Sequence, residues 1–169
     1  DFVKGDRPAT QDIFEGINTT WTRVEGGEPI GKLMAKIDQE YRSDDPSASI
    51  SDLMTAMQMI RKLPEGYWKQ RKLTEVKDVI KACLGLYLEA TTNDPTATSG
   101  DVVKVRLEAI NRSSAKIQLS GFEIQPALFD SLPSAELENN KSWVVEKSVV
   151  IPGNAPFTAP YWLQKPSTM

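Results

Sequence analysis

The hydrophobic period of this chain changes once, near Gly85. Before that point apolar residues recur every three or four positions, and after it they alternate. A helix repeats its face about every 3.6 residues and a strand every two. Both periods in series, each confined to its own half, point to an α+β protein. The expected division is a helical segment over residues 1–84 and a β-sandwich over residues 85–169.

In EPIGKLMAKIDQEYR, Ile30, Leu33, Met34, Ile37 and Tyr41 share one helical face. In PSASISDLMTAMQMIRKLP the same spacing joins Ile50, Leu53, Met54, Met57, Ile60 and Leu63. Pro46 fits a first helical turn there, with Asp45 as its cap. A third helix, YWKQRKLTEVKDVIKACL, has Leu73, Val76, Ile80, Cys83 and Leu84 on its apolar face. Short linkers make these three helices antiparallel neighbours in a bundle. A further short helix is expected over Gln11–Thr20. Met34, Met54, Met57 and Met59 fall at helical spacing and read as core, and Cys83 reads as a small buried hydrophobe.

The second half reads as strands. In DVVKVRLEAIN, Val103, Val105, Leu107 and Ala109 point inward, and Lys104, Arg106 and Glu108 point outward. LGLYLEATTN, AKIQLSGFEI and WVVEKSVVI alternate in the same way. Asn93-Asp94-Pro95 and Ser99-Gly100-Asp101 supply turn chemistry. GFEIQPALFDSLPSAELENN, with two prolines, reads as a long crossing connection. Four or five strands precede Pro152, and a sixth is expected over Phe157–Leu163. An immunoglobulin-like sandwich has about seven, so the sheet reads as truncated and the chain as part of something longer. Tyr161, Trp162 and Leu163, three bulky apolar residues near the last position, fit that expectation.

Composition limits the chemistry. The 169 residues carry a net charge of −3, and neither half is basic, which argues against nucleic-acid binding. No apolar run approaches the roughly 20 residues of a membrane span. There is no histidine and one cysteine. That excludes Ser-His-Asp, Cys-His and histidine-metal mechanisms, an internal disulfide, and zinc sites of the usual Cys/His kind.

Three carboxylate groupings stand out: Asp44-Asp45, Glu25/Glu28 and Glu136/Glu138. Paired carboxylates run acid-base and glycosidic chemistry. Each of these lies in a predicted loop, helix start or polar connection and reads as solvated or capping. NDPTATSGD offers oxygens for calcium but lacks the spacing of a calcium loop. It reads as a turn. Asn18, Asn111 and Asn140 open glycosylation-like triplets, a pattern frequent by chance. Among the aromatics, Tyr67, Trp68 and Trp143 are the candidates for stacking on a glycan, against a plainer reading as core or interdomain contact.

One long stretch resembles a known family. LPEGYWKQRKLTEVKDVIKACLGLYLEATTNDPTATSGDVVKVRLEAINRSS resembles the segment that follows the catalytic domain in large bacterial PIG-L/LmbE-like deacetylases, especially those of Bacteroidetes. FVKGDRPATQDIFEGINTTWTRVEGG and APYWLQKPS are similar to the same region, in the same order. The resemblance implies a zinc-dependent amidase that deacetylates N-acetylglucosamine-type substrates from a Rossmann-like domain carrying a His-Pro-Asp-Asp motif. None of that motif is in this chain, so no catalytic residue or cofactor is carried over, and zinc is implied only for the missing catalytic domain. What is implied is a non-catalytic accessory region, partnered in cis by that domain, in a periplasmic or secreted protein. Phe2, Phe14, Trp21, Tyr161, Trp162 and Leu163 are then the expected interdomain contacts. The alternative is a sandwich that binds a glycan or a cell-surface partner.

Overall fold

Ile30, Leu53 and Ile60 are each about 1% exposed, and the first half of the chain is built around them. The computed structural model describes residues 14–124, 128–130, 134–160 and 162. The chain divides into two compact units, Asp1–Leu84 and Gly85–Met169.

The first unit is three helices: α1 (Glu28–Gln39), α2 (Ile50–Arg61) and α3 (Tyr67–Cys83). Their apolar faces meet in a core of Ile30, Ile37, Leu53, Met57, Ile60, Leu63 and Val76. Trp21, Leu33, Met34, Met59, Ile80 and Cys83 pack around it. Each fully buried aliphatic side chain stabilises the unit by about 1.5–3 kcal/mol. The helices begin and end where backbone chemistry changes. Glu28 opens α1 at its positive end, Pro29 occupies the first turn and Lys36 lies in the last.

Four helical expectations need correction. Gln11–Ile13 lie outside the described residues, and Phe14–Thr20 form turns rather than helix. Gly16 takes a positive φ of 86°. The Asn18 carboxamide oxygen then accepts from the Thr20 amide at 2.9 Å, so local side-chain bonding wins over helix. A 3-10 turn, Trp21–Arg23, follows, capped by Thr20. Tyr41 lies beyond the end of α1 and is exposed. Pro46–Ser49 form a 3-10 turn ahead of α2, and the Asp45 carboxylate accepts from the Ser47 hydroxyl at 2.6 Å rather than capping a helix. Met54 points to solvent, while Met57 is core.

The second unit is antiparallel sheet. Its largest piece has order β1-β2-β7, from β1 (Tyr87–Thr92), β2 (Val102–Ile110) and β7 (Ser142–Val150). Two ribbons accompany it: β3 (Ile117–Leu119) with β6 (Ala135–Leu137), and β4 (Phe122–Ile124) with β5 (Leu128–Asp130). Register places Leu88 opposite Ala109, and Ala109 opposite Trp143. Leu107 likewise stands between Ala90 and Val145. These residues form one apolar face, because strand side chains alternate. Glu89, Glu108 and Arg106 occupy the other face.

The expected turn between the first two strands is present. Asp101 accepts from the Thr98 amide at 2.7 Å and from its hydroxyl at 3.0 Å. Those bonds hold the Asp101 carboxyl below the ordinary carboxylate range. Two expectations fail. The supposed crossing connection carries β4, β5 and β6, three short strands. Phe157–Pro160 is not strand, and Phe157 is 97% exposed. Pro156 and Pro160, on either side of Phe157–Ala159, have no amide N–H to give a ladder. Tyr161 and Leu163 lie outside the described residues.

Candidate functional site

Two surfaces carry the candidate chemistry, one in each unit. In the helical unit, Trp21 and Trp68 line one cleft of about 100 Å³ with Arg23, Leu63, Lys72 and Thr19. The 3-10 turn delivers Trp21 and Arg23, and the start of α3 delivers Trp68 and Lys72. The Arg23 guanidinium lies 4.0 Å from the centre of the Trp68 ring. Lys72 Nζ lies 5.8 Å from that of Trp21. Both cations are therefore within reach of the negative face of an indole.

Close backbone approach fixes this cleft. A Cβ on Gly27 would lie 2.1 Å from the Trp21 carbonyl oxygen. A Cβ on Gly31 would lie 3.0 Å from the Trp21 Cβ. Glycine at both positions lets the Trp21 turn sit down on α1. Behind Lys72, Glu75 accepts from Lys72 at 2.6 Å and from Arg71 at 2.8 Å. These two bonds hold the Glu75 carboxyl below its ordinary range.

In the β unit, Leu88, Ala90, Leu107, Ala109, Leu119 and Trp143 line a shallow cavity of about 230 Å³ over the apolar sheet face. Leu88 is 50% exposed and Trp143 is half-buried. The ribbon residue Leu119 reaches the same cavity, so β3–β6 covers part of the face and leaves the β1 side open.

The candidate residues are thus distributed over both units. Trp21, an expected interdomain contact, is half-buried against its own helical core. Trp68, a stacking candidate, shares its cleft. Tyr67 is 66% exposed, and its ring meets that of Trp68 edge-on, at 5.1 Å and 79°. The two rings offer separate faces rather than one flat platform. Trp143 belongs to the sheet cavity. Phe14 and Trp162 are 55% and 64% exposed. Phe2, Tyr161 and Leu163 lie outside the described residues.

One carboxylate of each grouping is engaged in a local ion pair. Asp44 bonds Arg42, Glu28 bonds Lys32 and Glu138 bonds Lys141. Among the described residues no three metal-ligating side chains come together. Cys83 packs beside apolar residues of the helical core, and burial pushes its thiol up.

Sequence reasoning missed Arg23, Lys72 and Leu88. Lys72 was within its reach, because residues four apart on a helix share a face and Trp68 is four before it. Leu88 needed the register. No family model, no curated protein and no solved structure matches this chain. Among the described residues no helix is long and apolar enough to cross a membrane.

Proposed function

We propose that this chain is a non-catalytic accessory region of a zinc-dependent sugar N-deacetylase of the PIG-L/LmbE kind. On this reading its β unit is an immunoglobulin-like sandwich layer that docks onto the catalytic domain of the same polypeptide. The observation that carries the reading is the open apolar face around Leu88, Leu107 and Trp143. An antiparallel sheet keeps one face dry. Apolar area left in water forgoes about 25 cal/mol for each Å² that a partner covers, and such patches mark interaction surfaces.

Zinc is assigned to the catalytic domain and not to this chain. The donors here do not fit it: histidine is absent, and the single thiol is packed against the helical core. A glycan-binding role draws support from Tyr67 alone, whose exposed ring offers a single stacking face.

The test is the reading frame that encodes this segment. An in-frame His-Pro-Asp-Asp motif upstream is expected. Release of acetate from N-acetylglucosamine substrates by the encoded protein is expected to fall when residues 1–169 are removed. A frame without that motif, or activity and thermal stability unchanged by the removal, would contradict the proposal.

A further inference from the structure

We propose that the Trp21–Trp68 cleft is a binding site for a small carboxylate carried on a flat apolar body. Its residues are all in the helical unit, so the inference does not rest on the docking role of the sheet.

Charge is the first reason. Among the described residues no carboxylate pairs with Arg23. Lys72 and Arg71 share one carboxylate, that of Glu75. Within the cleft Arg23 is therefore a positive charge that no described carboxylate balances, in a chain whose net charge is −3. That charge selects an anion.

Geometry is the second. A guanidinium lying on an indole face keeps the N–H groups around its edge available. Their fork matches the two oxygens of a carboxylate and bonds both at once. Stacking on Trp68 holds that fork in place before the ligand arrives, which lowers the ordering cost of binding. Lys72 supplies a second charge over the Trp21 ring.

The walls are the third. Trp21, Trp68, Val24 and Leu63 present apolar surface beside the two cations. A hydrated inorganic anion gains little from such walls, whereas an aromatic or similarly flat acid buries its body against them. The cleft volume of about 100 Å³ is the size of a small group and not of an extended chain.

The experiment titrates the 169-residue chain with benzoate, benzamide and inorganic phosphate, following the indole N–H resonances of the four tryptophans by NMR. Benzoate is expected to shift Trp21 and Trp68 saturably and to leave Trp143 and Trp162 in place. Benzamide, which has the same shape without the charge, and phosphate, which has charge without the ring, are expected to bind at least about tenfold more weakly. Arg23→Gln should weaken benzoate about tenfold or more without moving the thermal midpoint, because Arg23 is exposed. Lys72→Met should weaken it by a smaller factor. Equal binding of benzamide or phosphate, unchanged affinity in Arg23→Gln, or no saturable shift at Trp21 and Trp68 would each overturn the assignment.

Discussion

Asn111 is the polar residue on which the β unit most depends. It is 1% exposed and satisfied at both ends of its side chain. Its carboxamide nitrogen donates to the carbonyls of Ala115 at 2.8 Å and Leu137 at 3.1 Å. Its oxygen accepts from the Ser113 amide at 2.9 Å and the Ser113 hydroxyl at 2.8 Å. The end of β2 is thereby tied to β6. In the sequence this residue shows only as the start of a glycosylation-like triplet, since burial by a segment 26 positions away leaves no local trace. Asn111→Ala would strand two carbonyls and the Ser113 donors, and should cost about 2–4 kcal/mol in urea unfolding. Gly27 is a second silent position. Its φ of −79° suits any residue, so the need for glycine comes only from the Trp21 carbonyl pressed against it. Gly27→Ala should cost about 1–3 kcal/mol in the same measurement.

At the scale of elements, the three helices were legible because each is long enough for several turns of its period to repeat. The strands β4, β5 and β6 were not, since three residues cannot display an alternation and the prolines around them read as loop. Within α2, Leu53 is about 1% exposed, and Leu53→Ala should destabilise the helical unit by about 3 kcal/mol, measured by loss of helical circular dichroism in denaturant. The helices also carry exposed ion pairs. Lysine bonds hold the Glu28 and Glu65 carboxyls below their ordinary range, through Lys32 and Lys69 respectively. Lys72 and then Arg71 do the same to Glu75. A carboxylate with a lowered folded pKa contributes stability that is present above its unfolded pKa. That contribution is lost as pH falls through the folded value. The thermal midpoint should therefore fall on acidification from about pH 7 to about pH 3, and the part due to these exposed pairs should shrink in high salt.

For the molecule as a whole, the change of period near Gly85 separates helices from antiparallel strands, and that much of the architecture was readable. The layering of the strands was not. The sequence suggested one short sandwich completed by a strand through Phe157, whereas the described strands form one three-stranded sheet and two ribbons. Which strand pairs with which depends on contacts distant in sequence, and no residue pattern specifies them. The same limit hid the cleft, because Trp21 and Trp68 stand 47 positions apart and meet only through the tertiary packing of the helical unit. The central proposal is that the open sheet face docks a catalytic domain. The measurement that tests it most directly is calorimetric titration of this chain with the catalytic domain that the proposed function places in the same polypeptide, for the natural sequence and for Leu88→Glu. Saturable binding that Leu88→Glu weakens by at least about tenfold is the predicted result, since the substitution places a charge in a contact that excludes water. No binding, or binding indifferent to Leu88→Glu, would contradict it.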